Sequence, residues 1–426
     1  MHILKRILSA VFAVLLCFSS ALYAFAAEQG EINALRGTTL YVYNWGEYIS
    51  DGADDTLDVN KAFEEKYGIN VVYDTFDNNE VMYSKLKSGG VSYDVVIPSD
   101  YMIQRMINED MLEKLDFSNI PNFEKYIPEK YRNLSFDPKN EYSVPYTVGM
   151  VGLIYNSAMV DGTPDSWSAL WDKQYKGQIL MFNNPRDAFA IAQNLLGMDY
   201  NTESEMSWKI AAELLKEQKQ ISPVYVNDEI FLKMETGEAA FGAYYAGDFL
   251  TMKDNNPDLE LVYPKEGTNY FVDAACILKG SKNKLAAELY INFLLEPEVA
   301  LANAEYICYA SPHTAVYTNP EYTYFEDEIL YPQDENYKTQ SFLNLSPETL
   351  ELMSSLWDDV KNFNSDEGGS NYDFFFADGE LGAANGPAAL TPEGTRYLVY
   401  ILVFAAVCVA YIVFRYARKK YRENVK

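Results

Sequence analysis

Residues 40–50 read LYVYNWGEYIS, and the alternation that opens this stretch decides the fold class. Leu40 and Val42 fall on one face of a strand and Tyr41 and Tyr43 on the other, the period of two that an extended chain imposes. Asn44 and Gly46 end the run, leaving Trp45, Glu47 and Tyr48 at its tip. An amphipathic helical pattern follows over 55–67, carrying Leu57, Phe63 and Tyr67 and stopped by Gly68; INVVYDTF at 69–76 is then a second strand. Strand, helix, strand is a crossover, and a crossover implies parallel strands. The order recurs with a helix over 79–88, the strand DVVIP at 94–98 and a helix opening at Ser99. In YKGQILMFNNPRDAFAIAQNLLG (175–197), a strand over 178–182 runs into Asn184 as helix N-cap and Pro185 at the first helical position, with Gly197 as the stop. FGAYY at 241–245 and a helical pair over 283–306 continue the theme. The chain is α/β.

Chemistry collects where these strands end and helices begin: Trp45–Tyr48, Ser99–Tyr101, Asn184–Asp187 and Tyr245–Asp248. Ligands of open α/β sheets bind outside the carboxyl ends of the strands. One such cluster reads equally well as a Trp and a Tyr packed under a loop. Four aromatic and acidic clusters at one topological position indicate a site.

The 426 residues, 48% hydrophobic, suffice for two domains with real cores. The net charge of −28, from 62 acids against 34 Lys and Arg, repels nucleic acid and attracts cations. The aromatic share of 15%, with 35 Tyr, argues against disorder for most of the chain. Residues 1–27 carry Lys5 and Arg6, the apolar run ILSAVFAVLLCF and small residues around Ala24, Ala26 and Ala27, the form of a secretory signal peptide. Near the other end, YLVYILVFAAVCVAYIVF (397–414) is long enough to span a membrane. Arg415, Arg418, Lys419, Lys420, Arg422 and Lys426 then place 415–426 as a cytoplasmic tail and everything before the span outside. Residues 364–394, rich in Gly, Asp, Ala and Pro, read as a flexible stalk. Of the four cysteines, only Cys276 and Cys308 fall in the exported part; they offer one pair and no disulfide framework.

Catalysis lacks its usual groups. His313 is the single exported histidine once the signal is removed, so a Ser-His-Asp arrangement or an imidazole zinc site has one candidate at most. No phosphate-binding glycine loop is found at a strand end. Neither a metal nor a cofactor is expected. Paired carboxylates leave a surface glycosidase open. Binding fits better: aromatic faces attract cations, carboxylates neutralise ammonium groups, and rings cover a methylene stem. A linear diamine or triamine suits such a wall. Sugars also stack on rings, so an extracellular sugar receptor is the rival, and ferric ion on paired tyrosines is a third reading.

Across residues 38–345 the chain resembles the polyamine-binding proteins of ABC importers, the spermidine/putrescine receptor family. The resemblance rests on LYVYNWGEYI, YDVVIPSDYMIQRM, YSVPYTVGMVGLIYN, SWSALWDKQYKGQIL, YPKEGTNYFVDAACIL and INFLLEPEVA, in that order. It implies a two-lobed α/β fold of the periplasmic-binding-protein type II with a hinge, with lobe 1 over 38–148 and 273–317 and lobe 2 over 149–272 and 318–363. It also implies polyamine as ligand and ABC permease subunits as partners. Carried over by motif, Trp45, Glu47 and Tyr48 form the first wall, with Ser99 and Tyr101 behind it. Asp187 takes an amine in PRDAF, where Asn184 replaces a second acid of the spermidine receptor, and Asn227 joins the ligand-binding set. Tyr245 and Phe271 replace tryptophans, Asp248 matches an acid of putrescine receptors, Asp273 is the central carboxylate, and Tyr309 completes the aromatics. Asp273 also stands out on its own residues: a lone acid between Phe271, Val272, Ala274 and Ala275 needs a partner. The loss at Asn184 and the gain at Asp248 favour putrescine at least as much as spermidine. The span adds a membrane tether to this receptor, with the binding domain on the extracellular or periplasmic side.

Overall fold

β1 (Thr39–Trp45) lies between β2 (Asn70–Phe76) and β3 (Val95–Val96) and runs parallel to both, as the crossover reading requires. The structure is a computed structural model that describes residues 30–364 apart from 91, 222, 323, 325, 326 and 333–336, together with 375–377 and 380–381. The helix between β1 and β2 is Val59–Tyr67, shorter than the apolar pattern suggests. Asp58 caps it by accepting from the Lys61 amide, which leaves Leu57 outside and exposed; Gly68 ends it in the left-handed conformation that glycine adopts freely. Further helices are Asn79–Lys87 and Asp100–Asn108, and Ser99 occupies the N-cap position of the second.

Beyond β3 the sheet is mixed. β4 (Leu112–Glu113), β5 (Ser143–Asn156), β6 (Ile179–Phe182), β7 (Val224–Val226), β8 (Phe241–Tyr245), β9 (Leu259–Val262), β10 (Thr268–Leu278) and β11 (Thr339–Gln340) complete eleven strands. The main order is β2-β1-β3-β10-β5-β8-β6-β7. β10 is antiparallel to β3, β4 and β5, and β5 is antiparallel to β8 and β9. The two longest strands, β5 and β10, are nearly continuous apolar runs, so alternation does not mark them.

The described chain divides into two compact units. The first holds the described residues up to Asp165, with Leu180–Asn184 and Tyr225–Leu345; its core includes Leu40, Val42, Phe63, Val95, Ile277 and Tyr290. The second holds Ser166–Ile179, Pro185–Val224 and the described residues from Ser346. Its helices Pro185–Leu195, Glu205–Lys219 and Pro347–Asn362 enclose Trp167, Trp171, Trp208 and Trp357. Four of the five tryptophans therefore build this core, with Trp171 donating to the Leu214 carbonyl and Trp208 to that of Thr202. Trp45 alone belongs to the first unit, and it is only half-buried.

The expected signal peptide, the span 397–414 and the basic tail lie outside the described residues. Among the described residues no helix is long and apolar enough to cross a membrane. Within 364–394, Phe376–Ala377 pairs antiparallel with Glu380–Leu381, and Phe375 and Phe376 are buried, so this part of the expected stalk is structured; most of the remainder lies outside the described residues. Cys276 and Cys308 are buried free thiols, unpaired with each other.

Candidate functional site

Three rungs of the sheet place the site. Thr147, Gly149 and Val151 alternate along β5 and share one face, as residues two apart on a strand must. Asp273 and Phe271 of β10 lie opposite Thr147 and Gly149, and Tyr245 of β8 lies opposite Val151. Gly149 is required there: a Cβ would meet the tip of the Phe271 ring at 2.5 Å. Gly247 plays the same part under Tyr309, where a Cβ would come within 2.2 Å of the ring.

Tyr48 crosses these rungs from the loop after β1. Its hydroxyl donates to Asp273 Oδ2 at 2.7 Å and lies 2.5 Å from the Thr147 hydroxyl. The Tyr48 carbonyl accepts from Asn44 Nδ2 at 3.3 Å and from the Tyr146 hydroxyl at 2.9 Å, which fixes the loop. Trp45, Tyr146 and Tyr309 stand edge-on to Tyr48, with centroids at 6.4, 5.8 and 5.0 Å. Phe271 meets Tyr245 at 5.5 Å and Tyr309 at 6.4 Å. The result is a ring-lined wall around carboxylates. Glu47, at the turn, is exposed and adopts a φ of 50°, a left-handed conformation uncommon for a residue with a side chain.

The carboxylates are short of positive charge. Asp273 is 3% exposed, and its Oδ1 has no hydrogen-bond partner. Burial pushes its carboxyl up to about 6, against hydrogen bonds from Ser99 and Tyr48 that pull it down. Asp248, in the first turn of the helix Ala246–Asn255, accepts from the Tyr309 hydroxyl at 3.1 Å. Desolvation lifts it to about 7; the Tyr309 bond lowers it, and the charges of Asp228 and Glu47 raise it. Among the described residues no ion pair neutralises Asp273, Asp248 or Glu47. Uncompensated buried carboxylates are costly, and a cation between them would lower that cost.

The first unit thus brings together Trp45, Tyr48, Tyr245, Asp248, Phe271, Asp273 and Tyr309. Ser99 adjoins them through a backbone bridge to Asp273, and Asn79 Nδ2 donates to its hydroxyl at 3.1 Å. Tyr101 is buried, donating to Glu80 at 2.9 Å with its ring against Phe342. Asn184 is buried just ahead of the helix that starts at Pro185, and Asn227 follows β7 with its amide donating to Glu229. Asp187 belongs to the second unit, buried in the first turn of the helix Pro185–Leu195. Sequence reasoning missed Thr147 and Asp228. Asp228 Oδ2 would lie 3.7 Å from a Cβ on Gly46, and its Oδ1 accepts from Tyr244. Thr147 is the one hydroxyl between Tyr146 and Met150, a signal that becomes readable only once β5 is known to be a strand. His313 is buried, stacked on Tyr126 with centroids at 4.6 Å, and burial lowers it to about 4, so it serves the core.

Comparison with known proteins places this geometry in a family. The profile described as bacterial extracellular solute-binding protein matches residues 59–338. A spermidine/putrescine-binding periplasmic protein of Salmonella typhimurium is 36% identical over 313 residues, 72% of this chain and 87% of that one. Its Escherichia coli counterpart is 34% identical over 325 residues, 75% of this chain and 91% of that one. The solved structure of a spermidine/putrescine ABC transporter substrate-binding protein from Streptococcus pneumoniae is similar with a TM-score of 0.64 at 35% identity, covering 76% of this chain and 99% of the other.

Proposed function

The chain belongs to the bacterial extracellular solute-binding protein family, and from that premise we propose that it captures polyamines, putrescine and spermidine, and delivers them to an ABC permease. It is a binding protein and not an enzyme, with the two-domain α/β fold of its relatives. The observation that carries the ligand class is Asp273, a buried carboxylate with an unpartnered oxygen, set among Trp45, Tyr48, Phe271 and Tyr309, with no basic residue bonded to it among the described residues. A diamine answers each feature. One ammonium meets Asp273, the methylene stem lies along the rings, and the other ammonium goes to Asp248, with Asp187, Asn184, Asn227, Ser99 and Tyr101 completing the set. A neutral sugar would leave two carboxylates uncompensated, which disfavours the sugar receptor. Putrescine is held at least as well as spermidine, because Asn184 carries no charge and Asp248 supplies one.

The lobe boundaries given above are part of this proposal, and so is the tether. Residues 1–27 are removed as a signal, 397–414 span the membrane once, and 415–426 stay in the cytoplasm, which keeps the receptor beside its permease. Calorimetric titration of the protein with putrescine, spermidine, a panel of sugars and ferric ion tests the ligand class. Heat with the amines alone is the expected result, and sugar binding without amine binding would reverse the assignment. Protease added to intact cells should release the large domain and spare only the tail; protection of residues 28–395 would refute the orientation.

A further inference from the structure

We propose that Thr147 is a positioning residue: its hydroxyl sets the direction of the Tyr48 hydroxyl, and thereby keeps Asp273 ionised with one oxygen open to the ligand. The inference rests on the polyamine reading of the site and adds a residue to it.

The position is built by an irregularity of the sheet. Asp273 pairs with Thr147, whereas Ala274 pairs with Pro145, so Tyr146 is an extra residue on β5. Such a bulge turns the side chains beside it, and it accommodates a proline that has no amide to give to the ladder. The extra residue is used: the Tyr146 hydroxyl holds the Tyr48 carbonyl at 2.9 Å. On the far side, the Val148 amide donates to the Ala310 carbonyl at 2.9 Å, which fixes the backbone next to Thr147. Thr147 is 3% exposed, so bulk water has no access to replace its hydroxyl.

Proton counting gives the role. Tyr48 has a single proton, and an ionised carboxylate can only accept. With Asp273 ionised, the Tyr48 proton goes to Oδ2 and Thr147 must donate to the Tyr48 oxygen. With Asp273 protonated, the same three groups can run in reverse, from Asp273 to Tyr48 to Thr147. A chain of donors that ends on a charge is polarised along its length and binds more strongly than a neutral one. Thr147 therefore favours the ionised state. The titratable and charged groups around Asp273 are Tyr48 itself, Asp248 as felt through Tyr48, and, on the neighbouring backbone, Asp100, whose Oδ2 accepts from the Val272 amide at 3.4 Å. All three are acidic, and among the described residues no Lys, Arg or His bonds to Asp273.

Putrescine titrations of the full-length protein from pH 5.5 to 8.5 test the role, with Thr147→Val, Thr147→Ser and Thr147→Ala compared. Thr147→Val, equal in shape, should weaken binding about three- to tenfold, the range for one lost buried hydrogen bond. Its acid limb should also move to higher pH. Thr147→Ser should restore both, and the smaller Thr147→Ala, which cannot clash, should repeat the loss. In a Tyr48→Phe background, Thr147→Val should add nothing. An unchanged affinity and pH limb in Thr147→Val, an unrestored Thr147→Ser, or an equal loss in the Tyr48→Phe background would each overturn the inference while leaving the polyamine reading intact. Failure of the unmutated protein to bind putrescine would overturn that reading and this inference with it.

Discussion

Two aromatic cages with carboxylates stand on β1, and only one holds a cation of its own. In the first, Tyr43 and Tyr93 stack at 4.4 Å, and Lys85 places its ammonium 4.4 Å from one ring centroid and 5.1 Å from the other. Lys85 also donates to the Tyr93 hydroxyl at 2.8 Å, which in turn donates to Asp74 at 2.5 Å. In the second, Trp45, Tyr48 and Tyr309 surround Asp273 and Asp248 with no lysine among them. Phe76 packs on both, 4.9 Å from Tyr43 and 4.6 Å from Trp45. The ingredients are the same, so composition does not separate a cage that completes the fold from one that takes a ligand. The supply of a cation does.

Charge removal should break the comparison most. Asp273→Asn keeps the shape and should cost putrescine affinity on the order of 2–5 kcal/mol, the range for one partner of a buried charge pair. Asp74→Asn should leave calorimetric affinity unchanged. A comparable loss at Asp74 would show that the two cages do not differ in role.

Acid should act next. With carboxyls near 6 and 7, affinity should fall as pH drops through 7 and then 6, by about tenfold per pH unit for each carboxyl once below its value. The sign for the unliganded fold is opposite. Both values lie above the unfolded carboxylate value of about 3.9, so the stability these groups contribute is full below about pH 4 and is lost as pH rises through 6 and 7. The melting shift given by putrescine should therefore grow from pH 5 to 8. A shift that is flat across this window would place both carboxylates outside the binding event.

Ring removal sharpens the contrast on a smaller scale. Trp45→Ala should weaken putrescine by about 1–2 kcal/mol through lost cation–π contact and area, whereas Tyr43→Ala should lower the melting temperature and spare the affinity of the folded fraction. The smallest effect belongs to Lys85→Met. It should cost about 0.5–1 kcal/mol of stability in a urea titration, the range for a partly exposed cation on an aromatic face, and nothing in binding. Loss of putrescine binding in Lys85→Met would join the two cages into one site.

Residues that neighbour one another in sequence were readable without the structure. The alternation of Leu40 and Val42 against Tyr41, the crossover to β2, the strand 241–245 and the helix start at Pro185 all follow from local pattern and turn chemistry. So does the suspicion attached to Asp273, since an acid between apolar neighbours has no local remedy. Where local pattern was blind, partners came from afar. Tyr43 alternates as an outward residue yet is buried, because Tyr93 stacks on it. β5 and β10 carry no period because both faces are covered, and the bulge that sets Thr147 beside Asp273 exists only in their pairing.

The sequence by itself determined an α/β chain with aromatic and acidic residues at its strand ends, because backbone period, caps and solvation act over a few residues. Only the tertiary structure decided which cage held a lysine and which held none. Asp74 and Asp273 both lie on strands beside aromatic residues, but Lys85 reaches the rings of the first cage from a helix packed in space, and among the described residues nothing basic bonds to Asp273. Charge compensation depends on distance in three dimensions, and distance along the chain does not encode it.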